Sequence, residues 1–191
     1  MRKDLLVGLV LTVAAVLAVF VSGWLDLELE PVALLGVALG AVVALVPDRT
    51  PLMRLAGFFG GFVVAWVGYL VRAAMLPDST GGRAVAVGLV VVLAVAIAAF
   101  SLGRIPLWSS LLGAAALAGA YEHTYAAAPP EVASTSVSTA TAVMFAVAIG
   151  FLATALMAPA TQQPVERAHR APREKDYESD SFDDLMMEKT K

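Results

Sequence analysis

Six long apolar runs, separated by short polar or proline-bearing connections, account for most of the chain, and their length predicts helices. They cover 5–22, 31–46, 52–75, 84–102, 106–121 and 137–158. A helix that crosses a bilayer needs roughly 20 apolar residues, about 17–25. The second run offers about 16, or ~24 Å at ~1.5 Å per residue. It is expected to cross by thinning the bilayer locally or leaning on its neighbours, with a re-entrant segment as the alternative. The expected fold is an all-α integral membrane protein: a six-helix transmembrane bundle over 1–158, then a charged, disordered cytoplasmic tail over 159–191.

Proline and glycine place the breaks. Pro31 and Pro106 stand where a first helical turn tolerates proline. Pro47 and Pro51 bracket "PDRTP", a connection that neither flanking helix is expected to enter, and Pro77 with Gly81-Gly82 and Pro129-Pro130 mark two more. Basic residues then orient the threading. Arg2, Lys3, Arg49, Arg54, Arg104 and the cluster after residue 158 share one side, against Arg72 and Arg83 on the other. Positive residues stay cytoplasmic, so a cell-membrane protein with both termini inside is expected. The first run is longer than a signal-peptide core and is followed by "VFVSGW" rather than an A-x-A site, so it reads as a retained helix.

Composition strengthens the membrane reading. Apolar residues make up 59% and charged residues 15%, against about 45–50% and about 25% in soluble domains. There is no Cys, which excludes disulfides and thiolate chemistry, and no Asn to accept an N-linked glycan. Arg outnumbers Lys and Ala and Val fill the runs, as in a GC-rich prokaryotic genome.

Apolar surface alone gives helices little reason to associate in lipid, so small residues that let backbones approach become the packing signal. Gly36 and Gly40 form one G-x-x-x-G, and Gly57 and Gly61 another, continued by Ala65 and Gly68. Because a short connection joins these two runs, their small faces are expected to meet each other. An internal repeat adds a second level of order. "VGLVLTVAAVLAVF" (Val7–Phe20) aligns without gaps on "VGLVVVLAVAIAAF" (Val87–Phe100), "LLGVALGA" follows Pro31 as "LLGAAALAGA" follows Pro106, and runs three and six share a Gly-Phe. Two such three-helix halves would be inverted relative to one another, as in many transporters.

Candidate chemistry is sparse. No ionisable residue lies inside an apolar run; Arg54 and Arg72, near opposite ends of run three, are expected to snorkel to the headgroups. Trp24, Trp108 and Tyr121 read as interfacial anchors, and Trp66 and Tyr69 as packing residues. In "YEHTY", Glu122 and His123 point different ways on a helix, which makes a wet helix end the simpler reading than a metal or proton site. Ser134, Ser138 and Thr141 share a helical face and are expected to pack against a neighbour. No nucleophile elbow, Walker loop or dinucleotide fingerprint occurs, so no catalytic, cofactor or metal residue is assigned and no enzyme class is expected.

The tail divides by charge. Arg167, Arg170, Arg173 and Lys175 lie close enough to the membrane to contact anionic headgroups, and 176–188 then carries six acidic residues and no basic one. Within it Phe182, Leu185 and Met186 recur at helical spacing after Ser181, a candidate docking helix for a cytoplasmic protein. The expected partners are therefore membrane lipids, a soluble protein held by the tail and a second copy of the chain, with no nucleic acid. Two functions compete: a non-enzymatic membrane scaffold or anchor that recruits through its tail, and a small transporter or channel-like permease for an uncharged or lipidic solute.

Overall fold

A computed structural model describes residues 2–24, 32–77 and 79–161. Among these residues all regular structure is helical: α1 (Arg2–Trp24), α2 (Ala33–Leu45), α3 (Pro51–Met75), α4 (Thr80–Phe100), α5 (Leu107–Ala127) and α6 (Val132–Thr161), with one 3-10 turn at Pro129–Glu131. Three stretches are long and apolar enough to cross a membrane, Pro51–Met75, Thr80–Phe100 and Pro129–Met157, while Gly8–Phe20 and Ala33–Leu45 are shorter apolar helices. The tail residues Arg167, Arg170, Arg173, Lys175, Phe182, Leu185 and Met186 lie outside the described residues, as does Pro31.

Local chemistry explains the helix ends. Pro51 is the first residue of α3 rather than a barrier to it, because a proline there lacks only an N–H that would have no helical partner. Ser79 caps α4 by accepting the Gly82 N–H at 3.2 Å, so Gly81-Gly82 lies inside the first turn instead of in the connection. The helix stops after Phe100, where Leu102 and Gly103 take φ of 54° and 75° and turn the chain. Pro129 and Pro130 form the 3-10 turn that leads straight into α6, which therefore starts five residues before its apolar run and includes the serine–threonine series.

Four helices form the core and two flank it. The broadest contacts join α2 to α6 and α3 to α5, followed by α3 with α4 and α1 with α6. Close-packed residues include Val43, Phe58, Leu117, Tyr121, Val143 and Val147. α1 and α4 lie outside this core; Ala14 and Ala18 are the buried apolar residues described on α1, and Ala86 and Ala94 those on α4. The pattern of pairing maps onto itself when α1, α2 and α3 are exchanged with α4, α5 and α6. Individual residues follow the exchange. Ala14 and Ala94, equivalent in the repeat, are both buried. A Cβ on Gly36 of α2 would lie 3.1 Å from the Val147 nitrogen, and one on Gly113 of α5 would lie 2.7 Å from the Phe58 carbonyl carbon. Val147 and Phe58 each stand three residues before a Gly-Phe pair.

The glycine faces do not meet each other as expected. Gly36 and Gly40 pack on the α6 backbone at Ala146, Val147 and Phe151, whereas Gly57 and Gly61 pack on Ile105, Ser109 and Ser110 at the start of α5. A short connection fixes which helix comes next, but not which face a helix presents to it. The α2–α3 contact is correspondingly slight.

Candidate functional site

Two arginines that read as headgroup contacts turn inward. Arg54 and Arg72 are 3% and 5% exposed. Arg54, in the first turn of α3, reaches the C-terminal end of α2 and donates to the Val43 and Ala44 carbonyls at 2.7 and 2.9 Å and to that of Val46. Those carbonyls have no partner within their own helix and carry the negative end of its dipole, so a guanidinium is well matched to them. The Arg54 carbonyl accepts the Ser109 hydroxyl, which ties α5 to the same corner, and Trp108 Nε1 donates to Asp48 at 2.6 Å. This corner is structural.

The other end of α3 carries the more chemically varied cluster. Tyr69 and Arg72, three residues apart on α3, face Glu122 and Tyr125, three apart on α5, so that each pair occupies one helical face. The Arg72 guanidinium donates to both Glu122 carboxylate oxygens at 3.0 and 3.1 Å and lies 4.4 Å from the Tyr125 ring centroid. Tyr69 donates to Glu122 Oε2 at 2.7 Å. The rings of Tyr69, Tyr121 and Tyr125 form a triangle with centroids 5.1, 5.2 and 6.1 Å apart. Glu122 follows the end of the apolar run at Tyr121. Burial pushes its carboxyl upward, but hydrogen bonds from Tyr69 and Arg72 and the nearby positive charges of Arg72 and Arg83 outweigh this and hold it below the ordinary value of 4.5.

Below this cluster lies a cleft of about 410 Å³ between α3, α4 and α5. Its walls are small and apolar: Ala65 and Gly68 from α3, Ala86 and Val90 from α4, Ala114 and Ala118 from α5. Its rim is polar, formed by Tyr69, Arg72, Arg83 and Glu122. The α4 wall is open to the surroundings, with Val87 and Val91 64% and 45% exposed. A second groove of about 560 Å³, between α3 and α6, has Trp66, Phe62 and Phe145 along it and no charged residue.

Several sequence expectations change here. Tyr121 is fully buried instead of interfacial, and its hydroxyl lies 2.7 Å from Thr135 Oγ1. Ser134, Ser138 and Thr141 are exposed, and Ser134 and Thr141 bond the carbonyls of Glu131 and Val137. The hydroxyls of this series that reach other helices are Thr135, beside Tyr121, and Ser136, which accepts Trp66 Nε1 at 2.9 Å. His123 is exposed beside the cluster, and among the described residues no group of three His, Asp or Glu is arranged to hold a metal ion. In "YEHTY" the sequence drew attention to Glu122 and His123 and not to Tyr125, and nothing local signalled the pairing of Tyr121, Glu122 and Tyr125 with residues some fifty positions earlier. Compared with known protein families, curated proteins and solved structures, the chain matches none.

Proposed function

We propose that this is a six-span cell-membrane protein of two inverted three-helix halves, with both termini cytoplasmic, that binds a lipidic solute in the α3–α4–α5 cleft and acts as a small non-enzymatic transporter. The cleft carries this reading: small apolar walls with a charged rim suit a molecule that is apolar along most of its length and polar at one end. The contact pattern that survives exchange of the two halves supports the inverted arrangement, which places solute sites where the halves meet in many transporters. α2, only 13 residues long, crosses by close packing on α6 and local thinning of the bilayer. Basic residues at the Arg54 end and at Arg104 favour a cytoplasmic position for that end, which would turn the cleft rim outward.

The test is translocation of a fluorescent lipid in liposomes holding the full-length protein. Transport above protein-free vesicles, suppressed by Ala115→Phe in the cleft, is expected; background transport refutes it. The scaffold reading draws on the charge division of the tail. Deleting 176–191 should then leave membrane insertion intact and abolish co-purification of a soluble partner, and unchanged co-purification removes it.

A further inference from the structure

Resting on the cleft reading, we infer that the lipid site serves one leaflet only: the place related to it by exchange of the two halves, between α6, α1 and α2, is closed by larger side chains.

The two halves correspond residue by residue. Each position of 34–45 in α2 is buried, half-buried or exposed just as its counterpart in 107–118 of α5 is. Backbone contacts give the same register. A Cβ on Gly113 would meet the Phe58 carbonyl, and one on Gly40 that of Val147. A Cβ on Gly61 would meet the Ser110 carbonyl, and one on Gly150 that of Val37. Gly40 therefore stands where Gly113 does, one turn along α2 from the alignment that "LLG" suggests, and Gly150 stands for Gly61.

This register identifies what occupies the counterpart of the cleft. Where the cleft is lined by Ala65, Gly68, Ala115 and Ala118, the equivalent positions hold Thr154, Met157, Val42 and Leu45; Ala114 keeps its size as Ala41. Space is already short at the floor. A Cβ on Gly68 would press on the Val90 side chain across the α3–α4 seam, so a methionine at that place leaves no trough for a lipid chain. Thr154 is buried like Ala65, and its additional atoms lie among the helices.

Geometry assigns the open cleft to a leaflet. It runs from Leu111 to Glu122 along α5, about 17 Å at ~1.5 Å per residue, or about half of a ~30 Å hydrocarbon core. Its rim lies at the C-terminal end of α3, and inversion puts the closed counterpart at the other end of the bundle. The floor residues Ala65 and Gly68 are buried, whereas Val87 on α4 and Ala115 and Ala118 on α5 are exposed, so the opening is lateral, between α4 and α5. A lipid chain enters there from the bilayer, in the leaflet at the rim end.

The experiment counts lipids retained per full-length chain by native mass spectrometry, after exchange into detergent from vesicles of equimolar phosphatidylcholine and phosphatidylglycerol. The wild type is expected to keep one, and Ala115→Phe none. Ala115→Val combined with Ala118→Leu gives α5 the side chains of α2 and should also keep none. Val42→Ala, Leu45→Ala and Met157→Ala together clear the counterpart and should raise the count to two, since apolar cavities made by truncation accept apolar ligands. Two lipids on the wild type, with Ala115→Phe removing one of them, overturn the one-leaflet inference and leave the cleft reading standing. The same follows if the triple variant, folded by its melting transition, still keeps one. Should the triple variant fail to fold, the α5 double variant decides: lipid retention equal to the wild type overturns the inference. Equal counts for wild type and Ala115→Phe overturn the cleft reading itself.

Discussion

Replacing Gly61 by Ala tests the packing directly. The added Cβ would lie 2.5 Å from the Ser110 carbonyl carbon and 2.9 Å from its Cα, where carbon atoms normally rest about 3.5–4.0 Å apart. Both atoms belong to the α5 backbone, so no side chain can swing aside and the helices must separate by about 1 Å. A gap of that size forfeits roughly a quarter to a half of each dispersion contact along the seam, and overpacking of this kind costs about 1–3 kcal/mol. Opposing it is the helix propensity of Ala over Gly, about 1 kcal/mol. Gly88→Ala is the matched control, because a Cβ there meets nothing within 4 Å and only the propensity gain remains. Gly61→Ala is therefore expected to be less stable than Gly88→Ala by about 1–3 kcal/mol in thermal or denaturant unfolding in detergent. Pairs of variants then identify the partners. Gly61→Ala and Gly113→Ala open the same α3–α5 seam and should be sub-additive, whereas Gly61→Ala and Gly40→Ala act on different seams and should add within about 0.5 kcal/mol. Equal stability of Gly61→Ala and Gly88→Ala, or coupling between Gly40 and Gly61, would refute the pairing of helices described above.

Two further variants probe the buried charges. Arg54→Met removes three hydrogen bonds to the end of α2 and should cost about 2–3 kcal/mol, with Arg54→Lys intermediate, measured as a fall in Tm in detergent. Glu122→Gln should cost about 1 kcal/mol at neutral pH, discounted because the carboxylate is half exposed. The Glu122 carboxyl titrates below its ordinary value of 4.5 in the folded protein, so its contribution is complete above that pH and disappears as pH falls through the lower folded value. The wild type should therefore lose its advantage over Glu122→Gln in that acidic window, and a constant difference down to pH about 2 would contradict the Tyr69–Arg72–Glu122 geometry.

Helix positions were legible in the sequence because apolar runs and prolines are local signals. Pro106 directly before α5 and the break at Pro129-Pro130 needed no tertiary information. Partners were not legible. Gly36-x-x-x-Gly40 announces that some backbone comes close, but that backbone is α6, more than a hundred residues later. Helical phase was hidden for a related reason. α6 is apolar nearly all round, so nothing in its pattern chose Ser136 over Ser138 as the inward hydroxyl. Arg54 and Arg72 read as snorkelling because both lie near helix ends. Whether such a stem turns outward depends on what its neighbours offer, here the carbonyls of Val43 and Ala44 and the carboxylate of Glu122. The cleft rim combines residues from three helices and appears only once those helices are assembled.

The central claim is the threading that puts the cleft rim outside and both termini inside, and the absence of native Cys makes it directly measurable. Single cysteines are introduced as Thr80→Cys and His123→Cys at the rim end, as Arg49→Cys at the other and as Lys191→Cys in the tail, then treated in intact cells with a membrane-impermeant maleimide. The account expects labelling of the first two from outside, and of the last two only after the cells are permeabilised. Labelling of Arg49→Cys or Lys191→Cys in intact cells, with Thr80→Cys and His123→Cys protected, would contradict it.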